Sequence, residues 1–93
     1  MLGQRFPSPV VELNRAVAVA MSAGPRAGLD LLDALAAAGT LDGYYLLPAV
    51  RGDLLARLGR HQEAAAAFSQ AAGLTANSVE QRFLRDRATR LPP

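Results

Sequence analysis

Apolar positions in this chain recur at the three- and four-residue spacing of α-helices, in five blocks separated by glycine, proline and short polar breaks. No stretch alternates convincingly with period two, so strands are not expected and the fold class is all-α. The first block predicts a helix from about Pro9 to Ala23, with Ser8 as its cap and Pro9 at the first helical position. Val10, Leu13, Val17, Ala20 and Met21 share one face of it. Val11, Ala18 and Val19 lie on the flanks, which leaves mainly Glu12, Arg15 and Ser22 as a polar edge. A surface helix normally carries a single apolar stripe, so this helix is expected to be covered on two sides. Its second cover would be something upstream or a second copy, which makes a dimer through the first helix one expected arrangement.

Gly24-Pro25 ends that helix and opens the next, in which Gly28, Leu31, Leu32 and Leu35 follow helical spacing while Asp30 and Asp33 face water. Ala38 to Gly43 is a loop. Pro48 is tolerated only in a first turn, so the third helix is placed from near Tyr44, with Leu47, Val50, Leu54 and Leu58 on one stripe. Gly59 is a left-handed C-cap. A fourth helix from His61 to about Ala72 buries Ala64, Ala67, Phe68 and Ala71. Asn77 or Ser78 caps a fifth, with Glu80 or Gln81 completing a capping box. Val79, Phe83, Leu84, Ala88 and Leu91 form its apolar side, Arg82, Asp86 and Arg90 an outer ladder, and Pro92-Pro93 its stop.

These blocks repeat. Ala16–Leu35 and Gly52–Ala71 each read as an apolar helix, a turn glycine and a second helix with a small residue early. The turn glycines Gly24 and Gly59 lie 35 residues apart, and a period of that length marks stacked helical repeats, which are usually surfaces for partners.

Composition narrows the function classes. The 93 residues suffice for one small domain, and a 51% hydrophobic content with no Trp, three Phe and two Tyr favours thin, closely packed helices. The net charge of +2 comes from ten arginines and no lysine. The excess lies in residues 44–93, where seven arginines face four acids, too weak a basic face to argue for direct nucleic-acid contact. Zero cysteines exclude disulfides and thiolate metal sites and fit a cytoplasmic protein. Met1–Pro9 has no apolar core of a signal peptide, and no apolar run reaches membrane-spanning length, so no membrane contact is expected.

Catalytic and metal-binding readings find little footing. His61 is the sole histidine, and beside Arg60 at a turn it reads as a solvated residue rather than a ligand or base. Asp30 and Asp33 read as solubilising charge. Ser8, Ser22, Ser69 and Ser78 have no predictable base nearby, and Gly24-Pro-Arg-Ala-Gly28 lacks the strand and the Lys-Ser/Thr of a phosphate loop. No enzymatic activity, cofactor or metal is expected.

Residues 45–78 resemble a tetratricopeptide repeat through Gly52, Leu55, Gly59, Ala64, Phe68 and Ala71; Pro48, Arg51 and Ala76 stand where that family has Trp, Leu and Pro. Residues 10–43 fit the same register after a one-residue deletion. The resemblance implies a linker over residues 1–8, then a right-handed array over 9–93. That array has repeats at about 9–43 and 44–78 and a capping helix over about 78–91. It also implies a concave face lined by the first helix of each repeat: Val11, Asn14, Ala18 and Met21, then Leu46, Ala49, Asp53, Ala56 and Arg57. The family's carboxylate clamp for chaperone C-termini uses Lys and Asn, and Ala49 and Asp53 depart from it. Asn14 and Arg15 read either as ligand contacts or as a local cap and a solvated edge. Arg51, Asp53 and Arg57 read either as a polar docking strip or as an intrahelical ion-pair set.

A broader resemblance runs through SPVVELNRAVAVA (Ser8–Ala20), GYYLLPAVRGDLLARLGRHQEAAAAF (Gly43–Phe68) and NSVEQRFLRDR (Asn77–Arg87). These strings look like the tetratricopeptide-like C-terminal extension of bacterial extracytoplasmic-function (ECF) RNA polymerase sigma factors. The resemblance implies a regulatory module that supports transcription initiation, with the sigma-factor DNA-binding domains of the same polypeptide, or RNA polymerase, as partners. The candidate partner-binding residues are Val11, Asn14, Arg15, Ala18, Val19, Asp53 and Arg57. The alternative is a stand-alone adaptor that takes a peptide in the concave groove.

Overall fold

The structure, a computed structural model, describes residues 9–39 and 43–91. Expectations placed on Ser8, the Val10 side chain, Thr40–Asp42 and Pro92-Pro93 fall outside the described residues. Among the described residues there are five α-helices and no strand: α1 (Pro9–Ala23), α2 (Pro25–Ala38), α3 (Leu46–Arg57), α4 (His61–Leu74) and α5 (Ser78–Arg90). The chain is an all-α array of helical hairpins. α1 packs on α2, α3 on α4, and α5 on α4, while α3 also meets α2 and α1.

Local chemistry sets the helix ends. Gly24 joins α1 to α2 at φ 102°, a conformation that side chains resist, and its N–H donates to the Ala20 carbonyl. At the other hairpin, Gly59 adopts φ 80°. Its N–H donates to Ala56 O (3.0 Å) and the Arg60 N–H to Leu55 O (2.9 Å), so orphan carbonyls of α3 are satisfied in a Schellman arrangement. Asn77 caps α5 by accepting from the amides of Val79 and Glu80 at 2.9 and 3.0 Å. No reciprocal capping box forms: the Asn77 N–H that Glu80 would have to reach donates instead to Thr75 Oγ1 at 3.2 Å, and Gln81 Nε2 donates to the Thr75 carbonyl at 2.7 Å. α3 begins at Leu46 rather than Tyr44, and Pro48 sits in its first turn. α4 runs on to Leu74, two residues beyond the expected end.

Six leucines, six alanines and Phe68 make up the core. An alanine buries one methyl, whereas a fully buried Leu or Phe contributes about 1.5–3 kcal/mol, so the core works only if helices approach closely enough to bring the large side chains together. Two glycines permit that approach. A Cβ on Gly28 of α2 would lie 2.6 Å from Ala20 Cβ and 2.8 Å from the Ala16 carbonyl oxygen of α1. A Cβ on Gly52 of α3 would lie 2.9 Å from the Phe68 ring of α4.

Several side chains depart from the faces that periodicity assigns them. Val17 and Met21 of α1 do not share the buried face with Leu13 and Ala20: they are 36% and 78% exposed, and Ala16 completes the buried stripe. Leu29 and Leu55 are buried although the expected stripes of α2 and α3 omit them. On α5 only Leu84 is fully buried, while Val79 and Phe83 of its expected apolar side stand exposed.

Substitutions at the crossings separate these effects. Gly28→Ala should destabilise the chain by about 1–3 kcal/mol, because its methyl meets backbone and a Cβ that cannot rotate away. Gly73→Ala, which enters open space just inside the end of α4, should stabilise it by roughly 0.5–1 kcal/mol through helix propensity. Urea denaturation of the two variants measures both.

Candidate functional site

The first helices of the hairpins lie side by side. Tyr45 at the start of α3 lies near Glu80 in the first turn of α5. Loss of hydration on burial, then the negative charge of Glu80, push the Tyr45 phenol above its ordinary pKa. Two turns further along, Arg87 Nη2 of α5 donates to Asp53 Oδ1 of α3 at 3.3 Å. α3 and α5 therefore run parallel, with matched positions in register. On its other side α3 faces α1 across a groove of about 190 Å³, with Val17, Ala20 and Met21 on one wall and Ala49, Val50, Leu54, Asp53 and Arg57 on the other.

Asp53 anchors the polar end of this groove. It accepts from Arg57 Nε at 3.2 Å and from Arg87 at 3.3 Å, so two guanidinium groups share one carboxylate and the cluster carries a net positive charge. Arg87 lies with its guanidinium carbon 4.6 Å from the centroid of the buried Phe68 ring and 6.0 Å from that of Phe83. An exposed ion pair contributes about 0.2–1 kcal/mol, and a cation over an aromatic face about as much again. These contacts do more to place charge than to hold the fold.

The residues read from the sequence divide. Asp53 and Arg57 form the groove's polar wall, and Met21 and Ala49 line it as register implied. Val11, Asn14, Arg15 and Ala18 are exposed on α1 and outside the groove wall, and Val19 is half-buried. The α1 contribution to the concave surface is therefore Val17, Ala20 and Met21 in place of Val11, Asn14 and Ala18. On α3, Val50 and Leu54 take the places assigned to Leu46 and Ala56. Arg51 does not join Asp53 in an intrahelical set; its Nε donates to Asp33 Oδ1 of α2 at 3.0 Å and ties the two hairpins together. Asp33 thus does more than solubilise. Arg87 was missed, although its signal is simple: it follows Asp53 by 34 residues, one repeat period, and so occupies the matching place on the next first helix.

His61 also differs from expectation. It is half-buried at the α3–α4 turn, with its Nδ1 fully buried and without a hydrogen-bond partner among the described residues. It borders an open depression formed by the turn with Ala88 and Leu91. The charges there cancel, since Arg60 grips Glu63 through two hydrogen bonds of 2.7 and 2.8 Å. No group of three or more potential metal ligands occurs among the described residues. None of their helices is long and apolar enough to cross a membrane.

No protein-family model matches the chain, and no solved structure matches it. It is 46% identical over 79 residues to the uncharacterized protein R00370 of Rhizobium meliloti (strain 1021). That alignment covers 85% of this chain and 18% of the relative, so the chain spans under a fifth of the longer protein's length.

The Arg60–Glu63 pair has a pH signature. The hydrogen bond from Arg60 holds the Glu63 carboxyl below its ordinary pKa, so whatever stability the pair adds is present above the ordinary carboxylate range and is lost as pH falls through the depressed value. In Arg60→Gln the Glu63 titration, followed by NMR of its side-chain carboxyl carbon, should move back up toward the ordinary value.

Proposed function

We propose that this chain is a non-catalytic regulatory and interaction module of a longer polypeptide, an ECF sigma factor. In this reading it supports transcription initiation in the bacterial cytoplasm by docking on the preceding sigma domains or on RNA polymerase. The observation that carries the modular part of the reading is the match itself: a segment 46% identical to this chain sits within a protein of which it forms only 18%. The sigma-factor assignment rests on the resemblance of the Ser8–Ala20, Gly43–Phe68 and Asn77–Arg87 strings. The exposed apolar residues of α1 support docking, for Val11, Val17 and Met21 are 54%, 36% and 78% exposed on a single helix.

A second reading, a free-standing adaptor that takes a peptide, is favoured by the α1–α3 groove and its arginines. The two readings use different parts of α1, since Val11 and Ala18 lie outside the groove wall whereas Val17 and Met21 line it.

The double substitution Val11→Asp, Ala18→Asp touches exposed positions only and should leave the far-UV circular dichroism helical, with the thermal midpoint lowered by no more than about 5 °C through helix propensity. Placed in the full-length protein, it should lower sigma-dependent transcription from a reporter by about tenfold or more, the equivalent of about 1.4 kcal/mol lost from docking. Unchanged transcription would contradict docking through α1.

A further inference from the structure

We propose that the groove between α1 and α3 receives an amphipathic helix that presents an aliphatic anchor and, one turn away, a carboxylate side chain. This inference rests on the second, groove-binding reading and names the chemistry of what the groove takes.

Size decides first. A groove of about 190 Å³ is smaller than the roughly 300–1,000 Å³ of sites that enclose small organic ligands, yet it has room for an aliphatic side chain pressed between two helices. Val17, Ala20 and Met21 on one wall and Ala49, Val50 and Leu54 on the other make that space apolar. Two parallel helices with small residues between them form a trough that a third helix can follow, its anchors spaced at helical intervals.

Charge decides next. Arg57 lines the groove and spends only its Nε on Asp53. Its two terminal nitrogens donate to no acceptor among the described residues. Arg87 likewise reaches Asp53 through one nitrogen, with its guanidinium carbon 4.6 Å from the Phe68 ring centroid. A guanidinium is suited to bidentate carboxylate recognition, and here the single local carboxylate is already shared by two of them. The charge left over asks for one more carboxylate beside the apolar slot.

Other occupants fit less well. One surplus positive charge beside an apolar floor is far short of the several phosphate contacts that hold nucleic acid. A second copy offers the exposed Val79 and Phe83 of α5, but that helix carries Arg82, Arg85, Arg87 and Arg90 against Glu80 and Asp86 and would bring like charge to Arg57. Helix α2 of a second copy carries Asp30 and Asp33, of which Asp33 is engaged by Arg51, and self-association of the chain is the outcome that would favour it.

The test uses fluorescein-labelled, amidated Ala-based peptides of about 15 residues, near the shortest length at which such helices persist in water. Each carries a Leu anchor and, four residues on, Glu, Gln or Lys. Fluorescence anisotropy against the 93-residue chain should rank them Glu, Gln, Lys, with Glu tighter than Lys by roughly fivefold at low salt. The gap should narrow as ionic strength rises to about 0.15 M. Arg57→Glu should reverse the order and Arg57→Gln flatten it. Ala49→Met, which fills the slot, should weaken every peptide alike, and circular dichroism identifies any variant that fails to fold. Equal binding of the Glu and Lys peptides, an order untouched by both Arg57 variants, no binding at all, or binding seen only when the Glu peptide is remade with a free C-terminal carboxylate would each overturn the proposal. So would displacement of every peptide by self-association of the chain. If these tests fail while Val11→Asp, Ala18→Asp still lowers transcription, the docking reading stands and only the acidic-helix partner falls.

Discussion

Phe68 lies where a side chain on Gly52 would have to be, and much of the second hairpin follows from that contact. With no Cβ on Gly52, the ring packs directly against the α3 backbone and is 1% exposed. The guanidinium of Arg87 lies 4.6 Å from the ring centroid and from there hands a charge across to Asp53 of α3. Asp53 in turn orients Arg57 at the mouth of the groove. One aromatic side chain therefore joins a close helix crossing to the last helix and to the electrostatics of the candidate site. In a core half built of alanine, no other residue has the volume to do this.

The first hairpin solves the same problem with smaller parts. Gly28 lets α2 press on Ala16 and Ala20, and Leu32 fills behind them. Lacking an aromatic there, α1 is held mainly by one stripe, and the rest of its apolar residues remain at the surface. The two ends of the array differ accordingly. α5 is rich in arginine with a few exposed apolar residues, whereas α1 is apolar almost all round. That asymmetry gives the array a direction, and the proposed docking surfaces, α1 and the trough between α1 and α3, lie at its more apolar end.

Helix number and most helix boundaries were legible in the sequence because their signals are local. Gly24, Gly59 and Asn77 act on amides and carbonyls within a few residues, and the helices end where those residues stand. Faces were less legible. On α1, apolar residues occupy so many positions that helical spacing selects no unique stripe, and only the Gly28 crossing decides that Ala16 goes inward and Val17 outward. The groove's location was carried by the repeat register, but its α1 wall was rotated by about one position from expectation. Contacts between distant segments were the least accessible. Arg51–Asp33 and Arg87–Asp53 join residues 18 and 34 apart, and His61 borders one depression with Ala88 and Leu91, far along the chain. Such pairs become readable only once the hairpins are stacked.

A chain that matches under a fifth of a longer relative, and that leaves apolar surface on one side of its first helix, is best understood through what lies against that side. NMR of the isotopically labelled chain, with the flanking domains that the proposed function requires supplied in trans, tests that proposal most directly. The account predicts shift changes confined to α1 and the facing side of α3, with Val11, Val17, Met21, Ala49 and Arg57 among the most affected. Changes centred instead on α2 and α4, or a spectrum that does not respond, would contradict it.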